Sequence, residues 1–321
     1  MVYKSSMHIL VTGGAGFVGS HLVERLAGRG DSVVILDCMN NYYDPKIKER
    51  NLACALKAGK VSFVKGDILD LSLLDDLFLA NKFDVVVHLA ARAGVRPSIE
   101  QPLLYEQVNC LGTLHMLESM RKHGMKRLVF ASSSSVYGNT KEVPFKETAV
   151  IDRPVSPYAA TKAAGELYCH NYHHLYGISS NVLRFFTVYG PRQRPDMAIH
   201  KFTKLIDGGK PIPFFGDGST ERDYTYYTDI IEGVVAAVDR DLGFEIFNLG
   251  ESRTTKLTEL VKFIEDSLGK KAVLDRQPMQ KGDVVMTNAD VSKARKLLDY
   301  KPTTSVETGV RNFVEWYKQI K

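Results

Sequence analysis

The chain of 321 residues has the composition of an ordinary globular protein, with 44% hydrophobic residues, 25% charged residues and a net charge of +5. This length suits one large or two small domains, with a core that needs no disulfide or metal staple. The composition excludes wholesale disorder, and no apolar run approaches the ~18 residues of a membrane-spanning helix. The basic residues are scattered, which argues against a nucleic-acid partner and favours a small anionic ligand.

The four cysteines, Cys38, Cys54, Cys110 and Cys169, lie far apart and form no CxxC pair. The sequence therefore predicts no metal site and no disulfide framework, and the reducing cytoplasm is the expected location. The first seven residues lead straight into a strand-like run, so we expect no signal peptide.

The first half of the chain alternates short β-branched runs with helical patterns. In chain order the predicted elements are strand 8–12, helix 17–27, strand 32–37, helix 46–56, strand 61–65, helix 71–79, strand 85–89, helix 104–123, strand 127–132, helix 157–176 and strand 181–184. This alternation predicts an α/β fold, a doubly wound Rossmann sheet of parallel strands with right-handed crossovers.

After residue 184 the pattern changes to loops rich in proline, glycine and arginine, followed by shorter helices. We expect residues 1–183 to form a dinucleotide-binding domain, with residues 223–250 returning to it. Residues 184–321 are expected to form mainly a smaller α/β domain that binds the substrate. Open α/β sheets bind ligands beyond the carboxyl ends of their strands, so the ligand cleft is expected between the two parts.

Gly13, Gly16 and Gly19 form a GxxGxxG motif between the first strand and the first helix. Such glycines permit a tight turn and a close approach of the backbone to a pyrophosphate, and the helix N-terminus presents free N–H groups to the phosphates. Asp37 ends the second strand, where its carboxylate can accept hydrogen bonds from the adenosine ribose and would repel a 2′-phosphate. The pattern predicts NAD rather than NADP.

Tyr158 and Lys162 lie four residues apart in a predicted helix, which places them on one face. Ser156 suits the N-cap and Pro157 the first helical position. An ammonium close to a phenol favours the phenolate, which is the form that a general base requires. With a serine run at the end of the preceding strand, this pattern predicts a catalytic tyrosine and lysine.

The GxxGxxG spacing and the YxxxK motif together resemble the extended short-chain dehydrogenase/reductase superfamily, and the resemblance covers essentially the whole chain. It implies a bound NAD and three catalytic residues, Ser133, Tyr158 and Lys162, with Ser133 hydrogen-bonded to the reacting oxygen. Besides Tyr158, Lys162 and the three glycines, the cofactor-binding residues that it implies are Phe17, Val18, Asp37, Asn40, Asp67, Ile68, Leu89, Ala90, Ala91 and Asn109.

Ser134 and Ser135 stand where sugar 4,6-dehydratases of this superfamily carry acidic residues, and where decarboxylases carry a glutamate. Elimination and decarboxylation need an extra acid or base that a serine hydroxyl cannot supply. The two serines therefore favour hydride chemistry without elimination.

Segment 214–224 looks like the nucleotide-diphosphate site of nucleotide-sugar 4-epimerases, and segments 37–45, 93–96 and 184–198 resemble the UDP-glucuronate 4-epimerases. The resemblance implies an isomerase that epimerises C4 of a UDP-sugar through a 4-keto intermediate, converting UDP-glucuronate to UDP-galacturonate. The substrate-binding residues that it implies are Arg96, Ser133, Ser134, Thr187, Arg194, Phe215, Arg222, Gln280 and Asp283. Arg194, or as a second choice Arg192, would pair with the sugar carboxylate.

Other functions stay open on the sequence alone. A UDP-hexose or UDP-N-acetylhexosamine 4-epimerase is compatible with Thr287, which leaves room near the sugar. A decarboxylase would release UDP-xylose, and a non-catalytic NAD-sensing module would need no phenolate base. Because the superfamily often dimerises through helices equivalent to 104–123 and 157–176, we expect a homodimer.

Overall fold

A computed structural model of the protein describes residues 6–278 and 284–321. The elements of its first half are, in chain order, β1 (His8–Thr12), α1 (Phe17–Gly28), β2 (Ser32–Asp37), α2 (Pro45–Ala55), β3 (Val61–Lys65), α3 (Leu71–Ala80), β4 (Val85–His88), α4 (Val95–Glu100), α5 (Pro102–Tyr105), a π-helix (Glu106–Leu111), α6 (Gly112–Lys122), β5 (Arg127–Ser133), a 3-10 turn (Ser134–Tyr137), α7 (Pro157–Tyr176) and β6 (Ser179–Phe185).

The remaining elements are shorter on average. They are, in chain order, β7 (Thr187–Tyr189), α8 (Ala198–Asp207), β8 (Ile212–Phe215), β9 (Glu221–Arg222), β10 (Tyr224–Tyr226), α9 (Tyr227–Val238), β11 (Phe244–Leu249), β12 (Thr255–Lys256), α10 (Leu257–Leu268), β13 (Leu274–Gln277), α11 (Ser292–Leu298) and α12 (Val306–Ile320). Among residues 6–278 and 284–321, none of the helices has both the length and the apolar character that crossing a membrane requires.

Seven of the described strands form one sheet in the order β11-β6-β5-β4-β1-β2-β3. β1 pairs in parallel with β2 and β4, and the pairs β2–β3 and β4–β5 are parallel as well. β1, β2 and β4 are mostly apolar and almost entirely buried, as expected for strands covered by helices on both faces. The doubly wound Rossmann sheet predicted from the sequence is confirmed.

The strand order reverses at β1, and this reversal positions the candidate site. Thr12, the last residue of β1, is in register with Leu36 of β2 and His88 of β4. The residues that follow these three positions therefore lie side by side at one edge of the sheet. In open α/β sheets a ligand crevice forms at this point, because successive connections run to opposite faces.

The single helix predicted over residues 104–123 is interrupted. α5 ends at Tyr105, the π-helix covers Glu106–Leu111, and α6 begins at Gly112. Within the wider turn, the Asn109 side chain accepts the Arg92 N–H at 2.7 Å and donates to the Arg92 carbonyl at 3.0 Å. Apolar periodicity assumes regular 3.6-residue turns, so it cannot detect such a segment.

The chain divides into two compact units. The first comprises the described residues of Met1–Gly138, Ile151–Arg184 and Ile231–Phe247, and the second comprises those of Asn139–Val150, Phe185–Ile230 and Asn248–Lys321. The segment 139–150 lies in the second unit because the Phe145 N–H donates to the Asn288 carbonyl at 2.7 Å and the Phe145 carbonyl accepts the Asp290 N–H at 2.9 Å. The cofactor and substrate roles of the two domains stay predictions.

Each unit has its own apolar core. In the first, side chains of the sheet such as Leu36 and Phe130 pack against Met116 of α6 and Leu74 of α3. In the second, the core is built largely from α8, α10 and α12, whose buried residues form the cluster Ile199, Phe202, Ile206, Leu260, Val261, Ile264, Leu268, Val306, Val310, Phe313, Val314 and Tyr317. Each unit thus buries the apolar surface that its own fold requires.

A buried ion pair lies under the end of β5. The Arg184 guanidinium donates to both carboxylate oxygens of Glu166 at 2.9 and 2.7 Å, and the Ser132 hydroxyl donates to Glu166 at 2.5 Å. Arg184 also lies 4.7 Å above the centre of the Tyr137 ring. Burial alone would lower the pKa of Arg184, but its hydrogen bonds to Glu166 raise it. The Arg184 guanidinium therefore stays charged, and its bonds to Glu166 hold α7, β5 and β6 together.

Glu166→Gln is expected to lower the free energy of unfolding by about 3–5 kcal/mol, because it leaves the buried Arg184 charge without its counter-charge. Urea denaturation at neutral pH measures this change. Asp266→Asn is the matched control, since Asp266 pairs with Lys262 on an exposed helix face and exposed pairs contribute little. If the two substitutions lower the free energy of unfolding equally, the buried pair contributes no more to stability than the exposed pair.

Candidate active site

The glycine turn after β1 has no room for side chains. Gly13 has a φ of +72°, and a Cβ placed there would lie 2.9 Å from the Ala90 nitrogen. The Gly16 N–H donates to the Gly13 carbonyl at 3.0 Å, and a Cβ on Gly19 would overlap that same carbonyl. α1 begins directly afterwards at Phe17, followed by Val18. Bare backbone in front of a helix N-terminus fits the diphosphate of a dinucleotide.

Asp37 lies beside this turn at the end of β2 and is buried. Its carboxylate accepts the Ala15 N–H at 3.2 Å and the Met39 N–H at 2.9 Å. The Lys48 ammonium lies 3.6 Å away and donates to the Asn40 side chain at 3.2 Å. The carboxylate is therefore fixed in place, as recognition of a ribose requires.

Lys48 is a neighbour of the site that the sequence analysis missed. It is buried on α2, although the pattern of that helix gives a lysine no reason to point inward. α2 packs against α1, and this packing brings the ammonium to Asp37. The sequence hinted at this position of Lys48 only by placing it in the first turn of α2, four residues after the N-cap residue Asp44.

The backbone that leaves β4 is held against the glycine turn. The Ala90 N–H donates to the Thr12 hydroxyl at 3.1 Å, and Thr12 contacts His88 Nδ1 at 2.8 Å. His88 Nε2 lies 3.3 Å from the Thr113 hydroxyl. Burial, and then the nearby Lys162 charge, lower the pKa of His88 to about 3, so the ring is neutral at physiological pH.

The other predicted cofactor residues differ in exposure. Leu89 and Ala91 flank Ala90 at this edge of the sheet and are partly exposed, Ile68 is buried in the first core, and Asp67 is exposed and accepts the Leu69 N–H at 3.0 Å. None of these contacts assigns a ligand, so their cofactor roles stay predictions.

Asn109 connects the β4 exit to α7. Besides its two bonds to the Arg92 backbone, its amide donates to the Thr161 hydroxyl at 3.0 Å. Thr161 in turn donates to the Tyr158 carbonyl at 2.9 Å. The ring of Tyr158 packs edge-on against Tyr105 with centroids 6.3 Å apart. The backbone and the ring of Tyr158 are therefore both supported from the β4 side.

α7 begins as the sequence predicts, with Ser156 accepting the Ala159 N–H at 3.1 Å as the N-cap and Pro157 in the first turn. Lys162 is buried, and its ammonium donates to the Ala131 carbonyl of β5 at 2.7 Å. Burial lowers the pKa of Lys162 to about 8, while the surrounding acidic groups partly oppose the shift. A lysine with this pKa can give up or take a proton near neutral pH.

Ser133 ends β5 and is buried. Its hydroxyl donates to the Ser135 hydroxyl at 3.1 Å and accepts the Ser135 N–H at 3.2 Å. Ser134 is partly exposed in the 3-10 turn that follows. The hydroxyls of the serine run therefore have different surroundings, although they are adjacent in the chain.

In the second unit, the loop after β7 carries the arginines. The Thr187 N–H donates to the Asp223 carbonyl at 3.1 Å. The Arg194 guanidinium donates to both oxygens of Asp196, at 3.0 and 2.8 Å. Arg192 has a φ of +67°, a conformation that L-residues seldom adopt. The first-choice arginine for the sugar carboxylate thus already holds a carboxylate of its own chain.

The predicted nucleotide residues that the structure describes in this unit, Phe215 and Arg222, lie on two different strands. Phe215 ends β8, and Arg222 donates from Nη1 to the carbonyls of Glu221 and Val285 at 2.9 and 3.2 Å. The buried Thr287 hydroxyl accepts the Asp223 N–H at 3.0 Å. Arg96, in the first unit, is exposed on α4. Gln280 and Asp283 lie outside the described residues.

The structure therefore brings together two sets of predicted residues within the first unit. The glycine turn, Asp37 and Ala90 meet at the ends of β1, β2 and β4. Lys162 joins the face of α7 that carries Tyr158 to the end of β5 that carries Ser133. Such a site can bind a dinucleotide and supply a phenol, an ammonium and a hydroxyl for proton transfer.

Comparison with known proteins supports this chemistry. The family profile described as GDP-mannose 4,6 dehydratase matches residues 10–313. UDP-glucuronate 4-epimerase of Thermodesulfobacterium geofontis is 44% identical over 97% of this chain and 96% of its own length. UDP-glucuronate 4-epimerase 4 of Arabidopsis thaliana is 44% identical over 98% of this chain and 76% of its own length.

A solved structure is similar along the whole fold. The crystal structure of UDP-glucuronic acid 4-epimerase from Bacillus cereus, in complex with UDP-glucuronic acid and NAD, has a TM-score of 0.92 and 37% identity, and the match covers 98% of this chain and all of that one. The resemblance to nucleotide-sugar epimerases that the sequence motifs indicated is confirmed. The chain belongs to the GDP-mannose 4,6 dehydratase family and, within it, to the NAD-dependent nucleotide-sugar epimerases.

Proposed function

We propose that this enzyme interconverts UDP-glucuronate and UDP-galacturonate by inverting C4 of the sugar. The observation that carries the proposal is the 44% identity to a UDP-glucuronate 4-epimerase over nearly the full length of both chains. The family profile that matches this chain is named after a dehydratase, so the site residues must distinguish epimerisation from elimination. Ser134 and Ser135 offer hydroxyls where elimination needs a carboxylic acid, which supports epimerisation.

The residues at the sheet edge fit NAD. Gly13, Gly16 and Gly19 would hold its diphosphate against the start of α1, and Asp37 would accept hydrogen bonds from the adenosine ribose. The cradle is built for backbone contact, since side chains on these glycines would meet Ala90 or the turn itself. NAD, when bound, supplies a reversible hydride acceptor.

Tyr158 takes the proton of the C4 hydroxyl in this mechanism and returns it after inversion. The buried Lys162 ammonium on the same face of α7 favours the phenolate form of Tyr158. Ser133 orients the reacting oxygen through its hydroxyl, which is already held by Ser135. Positioned proton transfer of this kind contributes about 10²- to 10⁴-fold to a rate.

The sugar carboxylate needs its own restraint. A 4-keto uronate is a β-keto acid, which loses CO2 when the breaking bond aligns with the carbonyl. Arg194 would hold the carboxylate bidentately, and Thr187 and Ser134 would add hydrogen bonds. Contacts that keep the carboxylate charged and hold the bond to it out of alignment with the 4-keto group prevent the loss of CO2.

A second copy of the chain is the expected partner besides the UDP-sugar. The large apolar side chains exposed on α4, α5, the π-helix and α7 include Ile99, Leu103, Leu111 and Leu167. α4, α5 and the π-helix pack against α7, so these side chains belong to one helical layer. Contiguous exposed apolar surface is typical of an interaction site. Leu111 and Leu167 lie within residues 104–123 and 157–176, the equivalents of the helices through which the superfamily often dimerises.

The cytoplasm stays the proposed location. The spacing of the cysteines supports it, and all four are free thiols in the structure. Fractionation of cells that express the protein from its own sequence would test this directly.

Purified enzyme given UDP-glucuronate, without added NAD, is expected to form UDP-galacturonate. Tyr158→Phe should lower this rate by about 10²- to 10⁴-fold while the protein still retains NAD, because the ring stays and only the proton acceptor is lost. Chromatography of the sugar nucleotides and absorbance of released cofactor measure the two effects.

Tyr176→Phe is the matched control, because it makes the same chemical change at the exposed end of the same helix. Near-normal turnover of Tyr158→Phe would reject the base assignment. UDP-pentose and CO2 from the unaltered enzyme would identify a decarboxylase instead, and unchanged UDP-glucuronate would reject the proposed substrate.

Arg194→Ala is expected to weaken UDP-glucuronate binding by about ten- to a hundredfold, since a charge-assisted hydrogen-bonded pair is lost, and to raise the yield of CO2 and UDP-pentose. Calorimetry and trapped CO2 measure these effects. Arg311→Ala, on the exposed side of α12 in the same unit, controls for net charge. If binding and by-product stay the same in Arg194→Ala, the carboxylate is held elsewhere.

Leu103→Glu is expected to turn the dimer into a monomer, because it places a charge on the apolar helical layer. Light scattering during size-exclusion chromatography would then show a fall from twice 35.9 kDa to 35.9 kDa. Leu79→Glu on α3 is the control, since both leucines are 78% exposed. A monomeric unaltered protein would contradict the proposed dimer.

A further inference from the structure

The guanidinium of Arg194 is occupied by a neighbouring carboxylate. Its Nε lies 3.0 Å from one oxygen of Asp196 and its Nη2 lies 2.8 Å from the other, the paired geometry of an arginine–carboxylate fork. Nη2 also lies 3.7 Å from the Met197 sulfur. The Arg194 side chain is 17% exposed, whereas that of Asp196 is 47% exposed.

The loop that carries the pair is anchored on the side of Arg194. Gln193 is buried, donates from its side chain to the Val188 carbonyl at 3.1 Å and from its N–H to the Gly190 carbonyl at 3.0 Å. Its own carbonyl contacts His200 Nδ1 at 2.6 Å. The backbone next to Arg194 is therefore fixed, while the Asp196 carboxylate stands at the solvent side and is hydrated as soon as it leaves the guanidinium.

The Asp196 carboxylate on Arg194 is chemically equivalent to the sugar carboxylate that the proposed function brings to the same guanidinium. A uronate and an aspartate each present two carboxylate oxygens to the same fork. Without any partner, a guanidinium that is mostly buried would lose hydration and gain nothing in return. An aspartate two residues away avoids that loss whenever no acidic sugar is bound.

We propose that Asp196 is a specificity-determining residue: its carboxylate occupies Arg194 in the absence of an acidic sugar and is exchanged for the sugar carboxylate on binding. This inference rests on the proposed function. An exchange of like for like keeps the number of ion pairs at Arg194 constant, so the loss of the Asp196 pair offsets part of the binding energy of the sugar carboxylate. Substrate and product, which carry the same carboxylate, can then both leave the site.

The test uses Asp196→Asn in the NAD-loaded enzyme, with UDP-glucuronate and UDP-glucose as probes. The amide keeps the shape of the side chain but removes the competing charge. We expect the dissociation constant for UDP-glucuronate to fall by about two- to fivefold, the size of one exposed ion pair. The dissociation constant for UDP-glucose should not change, because a neutral sugar does not compete for the fork.

Two controls separate exchange from other effects. Asp266→Asn changes the net charge equally, far along the chain from the arginine loop on an exposed pair, and should alter neither constant. In an Arg194→Ala background, Asp196→Asn should lose its effect on UDP-glucuronate, because there is no longer a fork to compete for. Asp196→Ser, which also lacks the charge, should act in the same direction as Asp196→Asn.

Weaker or unchanged binding of UDP-glucuronate by both Asp196 variants would overturn the inference, and weaker binding would mean that Asp196 stays in place and positions Arg194. Equal tightening of UDP-glucuronate and UDP-glucose would overturn it too, since that result reflects charge alone. If the unaltered enzyme does not convert UDP-glucuronate at all, the proposed function fails and the inference fails with it. If it does convert UDP-glucuronate and the variants show no selective change, only the exchange is rejected.

Discussion

The hydrogen bond from the Lys162 ammonium to the Ala131 carbonyl is the contact on which the rest of the site depends. It fixes the register of α7 against β5, at 2.7 Å, and thereby sets where Tyr158 stands relative to the serine run. The same bond compensates a buried charge, whose pKa falls to about 8 because of burial. The contact thus sets the geometry of the proposed proton-transfer group, and burial sets the pKa of its lysine.

Charges in the described part of the first unit are buried in matched sets. Glu166, one turn beyond Lys162, binds Arg184 and Ser132, and Asp37 lies beside Lys48. The first set ties α7 to β5 and β6, and the second ties α2 to the end of β2. Buried ion pairs give little net stability, but they fix relative positions, which is what a site assembled from the ends of several strands needs.

The arginine loop of the second unit follows another principle. Its backbone is fixed by Gln193 and His200, yet the mostly buried Arg194 is paired with a half-exposed Asp196. A rigid backbone with an exchangeable ion pair allows a charged ligand to be recognised and released. This arrangement differs from the buried Glu166–Arg184 pair, where both partners are inaccessible.

The sequence alone determined the parallel sheet, the glycine turn, the NAD-type acidic residue at the end of β2 and the spacing of Tyr158 and Lys162, because these depend on local patterns. α7 begins and ends at the predicted residues, since Ser156 and Pro157 cap it locally and Gly177 follows it in a left-handed conformation. The tertiary structure alone decided the π-helix around Asn109, the inward position of Lys48 and the occupation of Arg194 by Asp196. Each of these is set by which elements pack together and which partner a polar side chain then meets, and a linear pattern does not contain that information.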